Sequence, residues 1–453
     1  MDTPICDFVR AYQEKGALRL HMPGHKGRAF LGMESGDITE ISGADELYRA
    51  RGIIRKSEDN AASLFGTART LYSTEGSSLC IRAMIYLALL WGKEKGRDPL
   101  ILAGRNAHKA FLSAAALLDA DVKWLYPQRE DSLISCEITG PGLEKALEDM
   151  REKPAAVYIT SPDYLGNTAD IAALSRVCRR CDVMLLVDNA HGAYLRFLEP
   201  DRHPIALGAN LCCDSAHKTL PALTGAAYLH IAKNAPEICT ENAERALAMF
   251  ASSSPSYLIL QSLDACNAYL AEGYGEKLAA LIRRTERMKN RLTERGYELL
   301  GDEPAKLTAA PKSYGYTGDE LHDLLRGQNM ECEFSDPDFL TVMLTPQLED
   351  EELDRLEAAL LAVPRKAPIA VRPPAPPRPE RGMSVREAML SPVREVPAEK
   401  AEGCILADAQ VGCPPCIPIV MSGEKIDSNA IECFRYYGMD RCRIVKSQKL
   451  SAF

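Results

Sequence analysis

The chain has 453 residues, 46% of them hydrophobic and 26% charged, which is typical of a globular protein with two or three domains. Its formal net charge of −9 at pH 7 argues against nucleic acid as a main partner and is compatible with a small cationic substrate. The N-terminus has neither the basic nor the apolar segment of a signal peptide, and the longest apolar run, around residues 83–91, is too short to span a bilayer. The composition therefore predicts a cytoplasmic protein that does not enter a membrane.

Fifteen cysteines are scattered along the chain, an odd number that predicts reduced thiols rather than a disulfide framework. Two pairs have the spacing of metal ligands, Cys178 with Cys181 and Cys413 with Cys416. The first pair lies on a predicted helix and has no second pair nearby, as a structural zinc site usually requires, and the second pair encloses two prolines. We therefore expect no metal.

Residues 1–50 are predicted to form an N-terminal helical arm followed by a loop. The apolar face of the arm lies within residues 1–20, and the next segment, 20–28, is dense in Gly, Pro, His and Lys. Such a composition is typical of a turn that lines a pocket. Its histidines, His21 and His25, are interpreted as structural residues at the mouth of a site rather than as metal ligands or catalysts.

A large domain is predicted over residues 51–300, and it contains a candidate anion site. The segment 72–78 leads into a strong helix over residues 79–95. Backbone N–H groups and small hydroxyl side chains at a helix start, together with the helix dipole, favour an anion. Ser77 and Ser78 are therefore candidate phosphate ligands, although either serine could serve only as the helix cap.

Strand-like and helix-like segments alternate between residues 100 and 231. Such alternation predicts an α/β domain with a mostly parallel sheet and helices on both faces. No G-x-G-x-x-G motif follows a first strand, which argues against a dinucleotide-binding domain. The predicted strands are 100–103, 122–126, 155–160, 183–187, 211–213 and 226–231, and the predicted helices open near 106 and cover 142–152 and 170–180.

The rest of the chain is predicted to be helical at first and then to divide into smaller parts. Helical patterns over 236–250 and 258–300 complete the large domain. A proline-rich linker follows later, and its composition predicts an extended segment rather than a packed one. The predicted parts are a small α+β domain at 301–363, the linker at 364–382, and a C-terminal domain at 383–453 with a helix at 383–390 and a tight turn at 412–415.

Two of the predicted buried strands end close to reactive side chains. Asp188 follows the strand 183–187, and Lys218 lies five residues after the strand 211–213. Open α/β sheets bind their ligands at the carboxyl ends of the strands. Pyridoxal phosphate (PLP) requires this pair, because a lysine condenses with its aldehyde and a carboxylate keeps its pyridine nitrogen protonated. With the serines at the helix start, the pair predicts a PLP site.

These segments together resemble those of the PLP-dependent ornithine/lysine/arginine decarboxylases of fold type I, in their short bacterial form. The resemblance covers most of the chain, with departures at three positions: Cys416 stands where the family pattern usually has Gly, Glu75 where it has Asn, and Asp163 where it has Thr or Ser. The motifs that carry it are His-Met-Pro-Gly-His-Lys-Gly at 21–27, Glu-Gly-Ser-Ser at 75–78, Arg-Asn-Ala-His-Lys at 105–109, Val-Asp-Asn-Ala-His-Gly-Ala at 187–193, Ser-Ala-His-Lys-Thr-Leu at 215–220, Ser-Ser-Pro-Ser-Tyr at 253–257, and Cys-Pro-Pro-Cys-Ile-Pro with Ser-Gly-Glu at 413–424.

The resemblance implies a fold type I PLP-dependent transferase-like architecture and a role for several residues. Lys218 would condense with the cofactor, Asp188 would hold the pyridine nitrogen, and Lys218 or His217 would return a proton to the substrate carbon. Sites of this fold lie between subunits, so a homodimer or higher homo-oligomer is expected. The other implied cofactor contacts are His108 stacked on the ring, Ala190 beneath it, His191 beside it, phosphate contacts from Ser77, Ser78, Ser215 and His217, and a hydroxyl of Ser252 or Ser253 from a neighbouring subunit.

The implied reaction is the decarboxylation of a basic amino acid to the corresponding amine and CO₂. The distal cation of such a substrate needs an acidic partner. Glu333 resembles a family position near the substrate tail, and Asp163 or the loop of Asp37 and Glu40 are the alternatives. The sequence does not choose among arginine, lysine and ornithine.

Two other functions stay open. An aminotransferase or a β-eliminating lyase of fold type I would use the same cofactor site, although an aminotransferase usually needs an arginine for the α-carboxylate, and residues 301–345 contain no clear candidate. A non-catalytic PLP-binding partner of a true decarboxylase is the other alternative. The complete set of Asp188, His217 and Lys218 argues against it.

Overall fold

The structure, a computed structural model, describes residues 1–127, 132–409 and 416–446. They divide into two compact units whose segments alternate along the chain. The first unit comprises Met1–Asp98, Glu152–Ser161 and Asp170–Ala279, and the second comprises Pro99–Arg151, Pro162–Ala169 and Ala280–Phe453.

The elements begin and end as follows. The helices are α1 (Pro4–Glu14), α2 (Ile53–Phe65), α3 (Gly76–Glu94), α4 (Lys109–Leu118), α5 (Gly140–Glu148), α6 (Ile171–Arg180), α7 (Ala216–Thr219), α8 (Glu237–Ala248), α9 (Tyr257–Ala271), α10 (Tyr274–Arg295), α11 (Gly318–Arg326), α12 (Asp350–Ala362), α13 (Val385–Met389) and α14 (Ser428–Tyr436), with short 3₁₀ turns at Ala193–Phe197, Pro311–Tyr314 and Ala398–Lys400. The strands are β1 (Arg69–Ser73), β2 (Leu100–Gly104), β3 (Asp121–Leu125), β4 (Ala156–Thr160), β5 (Met184–Asp188), β6 (Leu211–Asp214), β7 (Ala227–Ile231), β8 (Leu299–Leu300), β9 (Lys306–Ala309), β10 (Phe334–Ser335), β11 (Leu340–Met343), β12 (Val393–Pro397), β13 (Leu406–Asp408) and β14 (Arg441–Val445).

Five strands of the first unit form a sheet in the order β1-β7-β6-β5-β4. The pairs β4/β5 and β5/β6 are parallel, whereas β7 runs antiparallel to both of its neighbours. Every residue of β5, β6 and β7 is buried, so these strands read as continuous apolar runs rather than as alternating ones. Helix α3 packs across the sheet against β1, β5, β6 and β7, and α6 packs against β5.

The N-terminal arm is shorter than predicted, and its cap comes from a distant helix. Helix α1 ends at Glu14, although the pattern predicted a helix within residues 1–20. Its N-cap residue Thr3 makes no capping bond, and the N–H groups of Ile5 and Cys6 instead donate to the Asp264 carboxylate of α9 at 2.9 and 3.0 Å. A cap supplied by tertiary contact leaves no local signal in the sequence.

Two other differences concern the large domain. The elements α2 and β1 were not predicted, because residues 53–73 mix polar and apolar side chains without a long periodic run. The helix predicted over residues 258–300 is two helices, α9 and α10, separated at Gly273, whose φ of 71° lies in the left-handed region.

The second unit contains three sheets or parts of sheets. Strands β2 and β3 pair in parallel, while β10-β11-β9-β8 and β12-β14-β13 are antiparallel sheets of four and three strands. The core of the C-terminal domain lies around α14 and β14, with Phe434, Val420 and Ile444 among its buried side chains. The predicted turn at 412–415 and Cys413 lie outside the described residues.

The proline-rich linker has no helix or strand, and part of it is packed, which the composition did not predict. Pro377 and Pro379 are buried, and the carbonyl of Ala375 accepts a hydrogen bond from Asn429 Nδ2 at 2.8 Å. A stiff segment loses little entropy when it docks, so an extended linker can still pack against a neighbouring domain.

Among the described residues, no helix combines the length and the apolar character that crossing a bilayer requires.

Candidate active site

The carboxyl ends of β5 and β6 bring the central residues of the site to one edge of the first unit. The two strands are parallel and Asp188, the last residue of β5, pairs with Cys213. The chain continues from β6 through Ser215 into the short helix α7, which carries His217 and Lys218. Lys218 Nζ lies 3.0 Å from Nε2 of His191, which follows β5. This contact joins the segments after the two strands.

Asp188 is a buried carboxylate held by neutral donors. It is 2% exposed, Tyr158 Oη donates to its Oδ2 at 2.9 Å, and the Ala190 N–H and the Cys213 thiol donate to Oδ1 at 3.3 and 3.5 Å. Burial raises the pKa of Tyr158 well above its ordinary value, so its hydroxyl stays protonated and can donate. No cation contacts Asp188 among the described residues. A buried carboxylate is stable when it is paired, so this one suits a cation such as a protonated ring nitrogen.

The sequence did not single out Tyr158. It lies on β4, beside Leu186 of the strand that ends in Asp188. The available signal was a tyrosine in the middle of an otherwise aliphatic strand, since a buried phenol needs a hydrogen-bond partner.

A second buried carboxylate, Asp214, holds four elements together directly before Ser215. Its Oδ2 lies 3.0 Å from His203 Nε2 and 3.1 Å from His230 Nε2, and its Oδ1 accepts from Asn189 Nδ2 at 2.7 Å. Asp214 and both imidazoles are fully buried. The two histidines lower the pKa of Asp214, so the carboxylate stays charged, while burial lowers the pKa of His230. Because Asn189 follows Asp188, Asp214 fixes the ends of β5 and β6 to each other.

The three groups could also be read as metal ligands, since their nitrogen and oxygen atoms lie within 4.8 Å of one another. Their hydrogen bonds favour a network instead. Each imidazole reaches the same carboxylate oxygen, and the second nitrogen of each also has a partner: His230 Nδ1 lies 2.9 Å from Thr70 Oγ1, and His203 Nδ1 accepts from the Ile205 N–H at 3.4 Å. Elsewhere, Cys178 is buried within α6 and Cys181 is its C-cap residue.

The predicted anion site lies at the start of α3. Ser215 Oγ donates to Ser77 Oγ at 2.9 Å, so the segment after β6 and the helix start are in contact. Gly76 adopts a φ of 70° and donates its N–H to the Gly225 carbonyl at 2.8 Å, a conformation that favours glycine. Ser78 is the third residue of the helix and is half-buried. Hydroxyls and first-turn N–H groups at a helix start suit an anion, and the phosphate roles of Ser77 and Ser78 stay a prediction.

Glu75 and the loop after α8 are connected within this chain. Glu75 is the N-cap residue of α3, and its Oε1 accepts from the Ser252 N–H at 2.7 Å. Ser252 Oγ accepts from the Ser254 N–H at 3.1 Å, and Ser253 is exposed on the same loop. Glu75, which stands where the family pattern has Asn, therefore holds the loop that contains Ser252 and Ser253, the serines predicted to contact a phosphate.

His217 is held by a backbone carbonyl. Its Nδ1 lies 2.9 Å from the Ala226 oxygen, so this nitrogen carries the proton and donates. The bond fixes the ring on α7, one residue before Lys218.

The remaining predicted site residues lie in the second unit. His108 is the N-cap residue of α4, where its Nδ1 accepts from the Ala110 N–H at 3.1 Å. Asp163 is buried and holds a turn: its Oδ1 accepts from the N–H groups of Leu165 and Asn167, both at 2.9 Å, and its Oδ2 accepts from Asn167 Nδ2 at 2.9 Å. Burial raises the pKa of Asp163.

Glu333 is half-buried directly before β10 and accepts from Tyr164 Oη at 2.6 Å through Oε1. Within the described part of the chain, its Oε2 accepts no hydrogen bond. The alternative acids are in the first unit, where Asp37 is already paired with His25 Nε2 at 3.1 Å and Glu40 accepts from Thr39 Oγ1 at 2.5 Å. His21 contacts Tyr12 Oη at 2.7 Å, so both loop histidines have structural partners.

Comparison with known proteins identifies the family. Residues 3–356 match the model of the Orn/Lys/Arg decarboxylase major domain. The arginine decarboxylase of Bacillus anthracis is 29% identical over 96% of this chain and 92% of that protein, and the one of Halalkalibacterium halodurans is 29% identical over 96% and 93%. A lysine decarboxylase of Pseudomonas aeruginosa is 24% identical over 60% of this chain and 40% of its own length.

The fold has solved relatives. The lysine decarboxylase of Francisella novicida superposes with a TM-score of 0.79 at 16% identity, covering 98% of this chain and 81% of that one. The constitutive lysine decarboxylase of E. coli superposes with a TM-score of 0.77 at 17% identity, covering 98% of this chain and 82% of that one. These structures confirm the predicted fold class, and the family model with the named relatives confirms the predicted amino-acid decarboxylase. Because the family model covers most of the described sequence, including every central residue of the site, the chain belongs to the Orn/Lys/Arg decarboxylase family.

Proposed function

We propose that this chain is a PLP-dependent decarboxylase that acts in the cytoplasm on a basic amino acid, with arginine as its substrate. The observation that carries the proposal is the pairing of strand ends: a buried carboxylate without a cationic donor, Asp188, on one strand, and an amine, Lys218, on the segment that follows the next. Arginine is favoured because several relatives that align along more than nine-tenths of their own length, including those of Bacillus anthracis and Halalkalibacterium halodurans, are named arginine decarboxylases.

The residues of the first unit fit the cofactor in charge and in chemistry. Lys218 would hold PLP covalently, Asp188 would accept a hydrogen bond from the pyridine N–H, and Ser77 and Ser215 would bind the phosphate with the N–H groups of α3. PLP, when bound, supplies a cationic ring that takes up the electrons of the bond broken at the substrate α-carbon. Tyr158, which donates to Oδ2 of Asp188 at 2.9 Å, would help to hold that carboxylate in place.

The proton that replaces CO₂ would come from the Lys218 ammonium. Its Nζ lies 3.0 Å from His191 Nε2, a distance at which a proton can pass between them. His217 is the alternative donor, and its ring is fixed through Nδ1. His108 would stack on the ring, as the family resemblance implies, and Glu333, whose Oε1 is held by Tyr164, would offer Oε2 to the guanidinium of the substrate. Ser253 would act in the neighbouring subunit of a homo-oligomer.

A substrate panel tests the reaction class. The purified chain, supplied with PLP and in turn with arginine, lysine and ornithine, should release CO₂ and the corresponding amine, fastest from arginine. Lys218→Ala should abolish turnover, whereas Lys233→Ala, an exposed lysine after β7, should leave it unchanged. Keto-acid formation would instead identify an aminotransferase. A normal kcat in Lys218→Ala would overturn the assignment, and a PLP absorbance band without turnover of any amino acid would favour a non-catalytic partner.

Glu333 and arginine selectivity require a second measurement. Glu333→Gln should raise KM for arginine by roughly 30-fold, as expected for the loss of a charged hydrogen bond of about 2 kcal/mol, with a smaller change in kcat. Glu331→Gln is the matched control, because that carboxylate is 72% exposed two residues away. An unchanged KM for all three amino acids in Glu333→Gln would remove this residue from the substrate site.

A further inference from the structure

Two motifs that lie more than 300 residues apart in the sequence are bonded to each other in the second unit. Arg105 Nη2 donates to Glu424 Oε2 at 2.9 Å and to the Ile419 carbonyl at 3.1 Å. The N–H of Lys109 donates to the Cys416 carbonyl at 3.0 Å. The segment 416–424 of the C-terminal domain therefore contacts both ends of the segment 105–109.

The ion pair is built into the interior. Arg105 is 9% exposed and Glu424 is 4% exposed, and the guanidinium carbon lies 5.5 Å from the centre of the Trp124 ring. Glu424 Oε2 also accepts from the Met421 N–H at 2.7 Å, which fixes the carboxylate within its own turn. A buried pair that loses one charge leaves the other uncompensated, so the bond holds its two segments firmly.

The segment 105–109 carries His108 between these two anchors. Arg105 directly follows Gly104, the last residue of β2, and its N–H donates to the Leu125 carbonyl of β3 at 2.9 Å. His108 caps α4 through Nδ1, and the N–H of the next residue, Lys109, donates to the Cys416 carbonyl. Arg105 is held at its side chain and Lys109 at its backbone, so the C-terminal domain determines where the short turn between them presents the imidazole.

We propose that Glu424 is a positioning residue, through which the C-terminal domain holds His108 in place for the cofactor ring. The inference rests on the proposed function, in which His108 stacks on that ring. It assigns a role to the C-terminal domain, which lies beyond the part of the chain matched by the family model. Glu424 itself touches neither substrate nor cofactor in this proposal and acts only through Arg105 and the turn.

The test is PLP binding to the full-length apo chain, followed by the absorbance and circular dichroism of the bound cofactor. Glu424→Gln keeps the size of the side chain and an oxygen for the Met421 N–H but removes the charge. It should weaken PLP binding by roughly tenfold, as expected for about 1.4 kcal/mol, and change the dichroism of the bound cofactor. Glu424→Asp, which keeps the charge, should retain part of the PLP affinity and part of the original dichroism. Asp408→Asn is the matched control, because its ion pair with Arg443 is 45% exposed in the same domain.

The decisive comparison is made in a second background. His108→Ala should reproduce the spectral change, and Glu424→Gln should add almost nothing to it, since a residue that acts through another loses its effect when the other is gone. Equal losses from Glu424→Gln in both backgrounds would overturn the proposal, as would a lower melting temperature with unchanged PLP affinity and dichroism. If Glu424→Gln does not fold, Arg105→Lys is read by the same criteria. Failure of the unmodified chain to bind PLP would instead overturn the proposed function.

Discussion

The cap of helix α1 by Asp264 gives a prediction about stability that can be worked out from distances. The Oδ2 atom accepts the N–H groups of Ile5 and Cys6, and Oδ1 accepts the Ser57 hydroxyl at 2.5 Å. Asp264 is fully buried, so water does not replace these bonds while α1 stays docked. Asp264→Ala leaves the N–H groups of Ile5 and Cys6 without an acceptor, whereas Ser57 Oγ keeps its contact with Tyr72 Oη at 2.7 Å.

The magnitude follows from ordinary values for such groups. Loss of a helix cap costs about 1 kcal/mol, and each buried donor left without a partner costs about 1–3 kcal/mol. Because α1 is terminal, its first turn can separate and become hydrated, which limits the total to about 3 kcal/mol. Asp264→Asn keeps one acceptor oxygen for the helix and a donor for Ser57 Oγ, so its cost should be about 1 kcal/mol.

Urea denaturation gives the free energy of unfolding, and hydrogen exchange at residues 5–9 locates the loss. Asp264→Ala should lower the free energy of unfolding, and it should speed hydrogen exchange in α1 more than in β5. Asp7→Ala is the matched control, because this carboxylate lies on the exposed face of the same helix, where it is 54% exposed, accepts from Thr3 Oγ1 and pairs with the exposed Arg10. Equal losses for Asp7→Ala and Asp264→Ala, or unchanged exchange in α1, would refute the reasoning.

Three further predictions concern other buried polar groups. Burial raises the pKa of Glu58 from 4.5 to about 8, so the folded chain keeps a proton that the unfolded chain releases. The free energy of unfolding should therefore fall by about 2 kcal/mol between about pH 6 and pH 8. In urea titrations at different pH values, Glu58→Gln should remove this part of the pH dependence. Tyr158→Phe should destabilise the apo chain by about 2 kcal/mol, because Asp188 loses a donor, and saturating PLP should reduce that loss if a ring cation compensates the carboxylate; equal losses with and without PLP would contradict this. Asp163→Asn should cost about 1–2 kcal/mol of stability, since an amide cannot accept all three bonds of the turn, with KM for arginine unchanged; a higher KM at unchanged stability would make Asp163 a substrate residue instead.

The roles of the strand-end residues could be anticipated because their positions follow from local patterns. Buried strands read as apolar runs, and reactive side chains directly after such runs lie at the ligand-binding edge of a parallel sheet. Asp188 and Lys218 were selected in this way, and the contact between Lys218 and His191 agrees with that placement. The assignment of each residue to a step of the reaction stays a prediction.

Other features could not be anticipated because they depend on partners that are distant in the sequence. Asp163 looked like a substrate acid, yet its carboxylate is occupied by its own turn. Tyr158 is 30 residues from Asp188 and Glu424 is 319 residues from Arg105, and no local spacing relates them.

Apolar runs, turn residues and a few motifs were enough to predict the α/β class and the family, because each of these depends on side chains that are neighbours in the sequence. Only the tertiary structure decided which buried polar groups pair: Tyr158 with Asp188, Asp214 with two histidines, and Arg105 with Glu424. A buried polar group without a hydrogen bond destabilises the folded state. Each of these groups therefore bonds to a partner that the fold brings within hydrogen-bond distance, wherever that partner lies in the sequence.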